Sequence, residues 1–213
     1  PGKAEMKAAA FEMAEQVEKL VKVYKNTKVD AQMLKDADVD AVILAIGSSP
    51  ITIKLEGMDK LQHASAPEVL RHEVCPKGKV AVIGGGLVGL ETADTLATDG
   101  CDVTVLEMKD EIGSDLGSLR KIAVMMKLQQ MQVKMLPNSK VCKFTEEGIV
   151  LEDETLVPCN CAVFAVGFAS NDSHLLVEEC EKRQIPCRVI GDAKSARRAL
   201  DAIAEGFEAA RTL

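Results

Sequence analysis

The sequence predicts an α/β protein organised around a parallel sheet, and three observations predict it. Short, near-continuous apolar runs bounded by turn residues recur along the chain, at 41–46, 80–83, 103–106 and 162–166; strands buried on both faces read this way. Between the second and third runs, Leu87, Leu90, Ala93 and Leu96 or Ala97 fall at helical spacing. The turn that joins strand to helix there is Gly84-Gly85-Gly86-Leu87-Val88-Gly89, a G-x-G-x-x-G.

That turn carries chemistry. A strand, such a glycine turn, a helix and a second strand ending in an acid form the unit that binds a dinucleotide pyrophosphate. Gly84 allows the tight turn off the strand. Gly86 lets the backbone come close to the pyrophosphate because no Cβ intervenes, and Gly89 lets the helix pack on the strand. The free N–H groups of the first helical turn, near Leu87 and Val88, face the anion, and the helix dipole favours it. Glu107 ends the second strand 23 positions after Gly84, close to the roughly 20 expected for the acid that grips the adenosine ribose. A ligand-free glycine turn does not predict that acid. Its carboxylate suits the two ribose hydroxyls of NAD and repels a 2′-phosphate, and Met108, Lys109 and Asp110 follow it rather than an arginine. NAD(H) is therefore expected over NADP(H). The fold expected is a Rossmann-like three-layer dinucleotide-binding domain.

The remaining elements follow in order. Residues 4–24 carry Met6, Ala10, Met13, Val17 and Leu20/Val21 at helical spacing, an amphipathic helix running into a short strand at 21–24. Asp30 caps a short helix through Leu34. The strand at 41–46 ends in Gly47-Ser48-Ser49-Pro50. Residues 51–78 read as a crossover with one helical turn near 67–71. Gly100 closes the helix 87–98 as its C′ residue. A second amphipathic helix spans 119–131, and 133–135 is the third parallel strand. Segments 141–145, 149–151 and 155–157, separated by Glu146-Glu147-Gly148 and Glu152-Asp153-Glu154, form an antiparallel meander. After the strand at 162–166 come a helix at 173–182 and a strand at 187–190 ending in Gly191-Asp192-Ala193. Ser195 is expected to cap a final helix over 196–211 with Leu200, Ile203, Ala204 and Phe207 on one face. The segments AVILAIG (41–47) and CAVFAVG (161–167) duplicate one strand-to-turn element.

Composition narrows the partners. A net charge of −7 argues against nucleic acid or an anionic membrane, and no apolar run reaches the length of a transmembrane helix. Seven cysteines, an odd number without C-x-x-C spacing, read as reduced thiols of a cytoplasmic protein. Cys161 is expected to point into the core and Cys159 to be incidental, with a redox pair between them as the alternative. His63, His72 and His174 are scattered, which argues against a shared metal site. The first residue is Pro1, as expected of a processed protein or an excised piece.

Four motifs in order resemble the flavoprotein oxidoreductases with two dinucleotide-binding domains, in which the NAD domain is inserted into the FAD domain. Gly84-x-Gly86-x-x-Gly89-x-Glu91-x-Ala93 is similar to their NAD site, and Ala45-Ile46-Gly47 and Ala165-Val166-Gly167 to their interdomain turns. Val189-Ile190-Gly191-Asp192-Ala193 is similar to their second flavin motif. The resemblance implies that Glu91 lies near the nicotinamide and that Asp192 bonds the flavin ribityl chain. Within that group, Gly84–Glu91, Glu107-Met108-x-x-Glu111-Ile112-Gly113, and Gly191-Asp192-Ala193 with the run from Arg197 to Gly206 resemble the C-terminal region of old-yellow-enzyme-like NADH:flavin oxidoreductases and 2,4-dienoyl-CoA reductases. Such enzymes also carry an FMN barrel, an iron–sulfur cluster and a first flavin glycine motif. This sequence has one G-x-G-x-x-G and no cysteine cluster.

The resemblance thus implies an NAD(H)-binding domain at 64–170, inserted in an incomplete FAD-type domain made of 1–63 and 171–213, with FAD bound only in the complete parent protein. The expected site residues are Gly84, Gly86, Leu87, Val88, Gly89, Glu91, Glu107, Met108 and Gly167, with Gly47, Gly191 and Asp192 at the flavin side. The implied reaction is hydride transfer from NADH to a flavin, with no catalytic side chain named. Its partners are NADH and the missing barrel and flavin segments of the parent. Glu91 is alternatively a first-turn glutamate serving the helix dipole, and Asp192 a turn aspartate. Arg197 and Arg198, read as first-turn residues, await an anionic neighbour or are simply solvated. An NAD-sensing regulatory module and an electron-transfer subunit remain as other functions.

Overall fold

The computed structural model describes residues 4–213. In chain order the elements are α1 (Ala4–Leu20), α2 (Ala31–Asp36), β1 (Val42–Leu44), β2 (Ser48–Pro50), β3 (Gln62–Ser65), α3 (Ala66–Leu70), β4 (Lys79–Ile83), α4 (Leu87–Thr98), β5 (Asp102–Leu106) and α5 (Ser118–Gln130). There follow β6 (Lys134–Leu136), β7 (Val141–Thr145), β8 (Gly148–Leu151), β9 (Leu156–Pro158), β10 (Cys161–Phe164), β11 (Phe168–Ser170), α6 (His174–Lys182), β12 (Cys187–Val189) and α7 (Ala199–Thr212). The chain divides into two compact units, one spanning Pro50–Phe168 and the other made of 4–49 and 169–213.

The first unit is built on a five-stranded parallel sheet in the order β3-β10-β4-β5-β6. Alternation along its central strands sends successive side chains to opposite faces. Val80, Val82, Val103, Val105 and Val163 join Leu90, Ala93, Leu96 and Leu128 of α4 and α5 in one core. Ala81, Ile83, Leu106, Ala162 and Phe164 join Phe144, Ile149, Leu151 and Val157 of the antiparallel meander β7-β8-β9 in another. The layers are therefore helices, sheet and meander, the Rossmann-like arrangement expected. Phe144 and Phe164 meet with ring centroids 6.0 Å apart.

Two expectations are corrected here. The crossover at 51–78 contains a strand, β3, which edges the sheet against β10 with Cys161 opposite Gln62. Its sequence, Gln62-His63-Ala64-Ser65, has no apolar run because an edge strand buries little beyond Ala64. Cys159 is not incidental: it is 5% exposed and packs in the meander-side core, while Cys161 packs on the helix side. Burial pushes both thiols up to about 11, so each stays protonated at neutral pH. The two residues face different cores, and no redox pair forms between them.

The second unit has a two-stranded parallel pair, β1 with β12, in register Val42 with Cys187 through Leu44 with Val189. Asp30 caps α2 as expected, accepting from the Met33 N–H at 2.8 Å. Arg183, the C-cap of α6, donates to the carbonyls of Leu34 and Ala37, tying the end of α6 to the end of α2. The strand expected at 21–24 does not form. The apolar stripe of α1, including Phe11, Met13 and Val17, is exposed, and so are Leu200, Ile203 and Phe207 of α7. Strand β1 was expected to be buried throughout, yet Ile43 is 41% exposed while Leu44 is buried, because successive side chains point to opposite faces of the strand and the face of Ile43 is left uncovered. Helix α7 begins at Ala199, not at 196. The Ser195 N–H donates to the Gly191 carbonyl, so Ser195 belongs to the preceding turn, and the Arg198 N–H is held by Asp201 at 3.2 Å. Arg197 and Arg198 thus precede the helix rather than opening it.

The duplicated segments form matching elements. β1 leads through Gly47 (φ +74°) into β2, and β10 leads through Gly167 (φ +107°) into β11. Strands β2 and β11 pair as a two-stranded ribbon. Both glycines need the left-handed region, which side chains with a Cβ avoid.

Candidate dinucleotide site

The first unit places the glycine turn at the C-terminal end of β4, between β10 and β5. Gly84 adopts φ +109°, and a Cβ there would lie 2.5 Å from the Ala165 carbonyl oxygen of the neighbouring strand end. A Cβ on Gly89 would lie 1.9 Å from the Gly84 carbonyl oxygen. These two glycines do what their positions in the motif require: one turns the chain, the other lets α4 press against that turn. Gly86 is the N-cap of α4 and has no side chain to cap it.

The turn's amides are divided. The Gly85 N–H donates to Glu107 Oε2 at 2.7 Å. The Leu87 N–H donates to both oxygens of Asp115, at 3.1 and 3.0 Å. The N–H groups of Gly86, Val88 and Gly89 have no acceptor among the described residues. A cradle free of Cβ atoms, with unspent amides at a helix N-terminus, fits a diphosphate. Glu107 stands at the end of β5 beside this cradle, its Oε1 accepting from the Lys109 N–H at 2.9 Å. Met108 next to it is exposed.

Glu91 is not in the first turn of α4, which contains no acid. It lies one turn further on, where Arg120 at the start of α5 donates to its Oε1 at 2.8 Å. Its alternative as a first-turn dipole partner therefore fails, because the helix begins at Leu87. Gly167 accepts from the Ile51 N–H at 3.0 Å as the chain leaves β10. Asp115 was missed by sequence reasoning. The available signal was Gly113 followed by an acid in the segment after Glu107; Gly113 adopts φ +68° and its N–H donates to the Gly85 carbonyl at 2.7 Å.

In the second unit, the parallel pairing of β1 and β12 brings the turn after one strand beside the turn after the other. Ser48 donates its hydroxyl to Asp192 Oδ2 at 3.1 Å, and the Arg197 N–H donates to Asp192 Oδ1 at 3.2 Å. Gly47 accepts from the Asn171 N–H at 3.0 Å. The Gly191 N–H donates to Glu205 Oε2 at 2.7 Å, and Arg197 and Lys194 reach Glu205 Oε1. The anion awaited by Arg197 is thus Glu205 of this chain. The second unit has no glycine turn at a helix N-terminus among its described residues, so by itself it does not fit the diphosphate of a flavin dinucleotide.

The Arg197 guanidinium, and then the Gly191 amide, hold the Glu205 carboxyl down at about 2. A carboxylate whose folded value lies below its ordinary value of 4.5 adds stability that is fully present above about pH 4.5 and is lost as pH falls toward about 2. Chemical denaturation of the Glu205→Gln variant should therefore show no loss across that window from this group, and the parent should show one; equal acid sensitivity of the two proteins counts against the Arg197–Glu205 link.

Among the described residues, no three His, Cys, Asp or Glu side chains come together as a metal site, and no helix is long and apolar enough to cross a membrane.

These features define a dinucleotide-binding α/β protein. The profile of the pyridine nucleotide-disulphide oxidoreductases matches residues 4–192. The chain belongs to that family, which bears out the resemblance drawn from its motifs, and membership implies binding of a flavin and a nicotinamide nucleotide. It is 34% identical over 221 residues to bilirubin reductase of Mediterraneibacter gnavus, covering 100% of this chain and 34% of that protein. It is 30% identical over 219 residues to NADH oxidase of Thermoanaerobacter brockii, covering 99% of this chain and 34% of that protein. A solved structure of 2-naphthoyl-CoA reductase superposes with a TM-score of 0.81 at 24% identity, over 94% of this chain and 31% of that one; this likeness is one of fold. The chain spans about a third of the length of the relatives it matches.

Proposed function

We propose that this chain is the NAD(H)-binding part of a flavoprotein oxidoreductase that passes hydride from NADH to a flavin. The observation that carries the reading is the glycine cradle: three unspent amides at the N-terminus of α4, no Cβ in the way, and Glu107 at the rim. The amides of Gly86, Val88 and Gly89 hold the diphosphate, and Glu107 accepts from the adenosine ribose while its bond to Gly85 fixes its orientation. The bound nicotinamide supplies the hydride; the chain supplies binding and position. Arg120 of α5 holds the Glu91 carboxylate of α4 in place, and no side chain is assigned an acid–base step.

Gly47, Gly191 and Asp192 form the part of the flavin site that this chain contributes, and the remaining flavin segments and an FMN and iron–sulfur barrel belong to the rest of a longer protein. The length of the relatives supports this reading, and so does the exposed apolar face of α7. The isolated chain should therefore purify colourless; a yellow protein with stoichiometric flavin contradicts the partial site.

Calorimetric titration tests the nucleotide site. NADH should bind more tightly than NADPH. Glu107→Ala should weaken NADH by roughly ten- to a hundredfold, since a hydrogen bond to a charged group contributes about 1.5–3 kcal/mol, and should narrow the gap between the two nucleotides. An NADPH affinity equal to or above that of NADH in the parent chain removes Glu107 from the ribose site.

A further inference from the structure

The cradle contains a carboxylate that the nucleotide reading does not use. Helix α4 starts on Gly86, which has no side chain to cap it, and Asp115 supplies the cap from another segment by accepting the Leu87 N–H with both oxygens. A Cβ built on Gly86 would lie 3.2 Å from Asp115 Oδ2, so the carboxylate lies directly over the turn. Its position is enforced. Gly113 is bonded to the Gly85 carbonyl, and the Ile112 side chain is buried 3.2 Å from where a Gly85 Cβ would stand. Glu111 on the same segment is paired with Lys121, whereas Asp115 has no ion-pair partner among the described residues. Its charge is balanced only by one amide and the positive end of the helix dipole.

We propose that Asp115 is a resident anion that competes with the nucleotide diphosphate for the N-terminus of α4 and so sets the affinity of the site. The inference rests on the NAD(H) reading above. With no ligand bound, the carboxylate satisfies an amide that would otherwise be orphaned. With a diphosphate on the neighbouring amides, a fixed negative charge stands beside a dianion at an exposed helix end, where the repulsion is moderate and is screened by salt. The effect is to oppose tight binding, so that a nucleotide that must leave after giving up its hydride is not held by the full strength of the helix end. The carboxylate discriminates by charge alone: it weakens ligands that carry a diphosphate and leaves the adenosine end of the same ligand untouched.

The experiment is calorimetric titration of the full chain with NADH, ADP-ribose and adenosine, in the parent, Asp115→Asn and Asp115→Ser. Asparagine keeps an oxygen for the Leu87 N–H and removes the charge; serine is a smaller neutral cap, used should the amide variant fail to fold. NADH and ADP-ribose are expected to bind roughly three- to tenfold more tightly to the neutral variants, and adenosine equally to all three proteins. Raising salt should shrink the difference. Unchanged or weaker ADP-ribose binding in a neutral variant that melts at the parent's temperature overturns the proposal and leaves Asp115 a structural cap. Failure of the folded parent to bind NADH or ADP-ribose at all is a different result, and it overturns the nucleotide site itself along with this use of it.

Discussion

Replacing Gly89 by alanine is expected to abolish nucleotide binding and to destabilise the first unit by about 3 kcal/mol, at the upper end of the overpacking range. The new Cβ would stand 1.9 Å from the Gly84 carbonyl oxygen and 3.0 Å from its carbonyl carbon. Both are backbone atoms of the turn, so no side chain can rotate away, and α4 has to withdraw from the end of β4. That movement carries the amides of Gly86 and Val88 with it. Urea denaturation and NADH titration measure the two effects separately. Gly117→Ala is the control: its Cβ meets nothing within 4 Å and its φ of −64° suits alanine, so stability and binding should both stay at the parent level. A Gly89→Ala protein that binds NADH normally would refute the assignment of Gly89 as the contact on which the cradle closes.

Phe144→Ala should cost about 3–5 kcal/mol, the range for removing a buried aromatic ring. Phe144 is 2% exposed, packs on Phe164 of the central sheet, and its N–H is held by the Glu56 carbonyl at 2.8 Å. It is thus the main wedge between the meander and the sheet face formed by Ala81, Ile83 and Ala162. Its loss opens a cavity on that face only, and the midpoint of denaturation reports it. Phe144→Leu should recover more than half of the loss by refilling the volume. A cost under 1 kcal/mol for the alanine variant would mean that the meander is not a structural layer of this unit.

The parallel sheet was legible because its strands are buried on two sides. The runs around Val80, Val103 and Ala162 are near-continuously apolar, broken only by Thr104, as strands covered on both faces are. The meander was legible from its polar turns. Strand β3 was not, because an edge strand presents most of its side chains to solvent, and Gln62-His63-Ala64-Ser65 carries no periodic signal. The start of α7 was misplaced at Ser195, a good capping residue by type, because Gly191 captures the Ser195 N–H in a turn and Asp201 holds Arg198 instead. The stripe of α1 reads as amphipathic and does not bury, since periodicity reports what a face is suited to cover and not whether anything lies against it.

In the candidate site the same division holds. Gly84, Gly86, Gly89 and Glu107 are readable from spacing, because a turn, a close approach and a strand end each restrict residue type at a set distance along the chain. Local sequence by itself determined the βαβ unit, its glycine turn and the acid at the rim. Tertiary structure alone decided that Glu107 bonds Gly85, that Arg120 holds Glu91, that Arg197 belongs to Glu205, and that Asp115 caps Leu87. The reason is physical: those pairings join segments up to 29 residues apart, and only the packing of whole elements, not the order of neighbours, determines which carboxylate meets which donor.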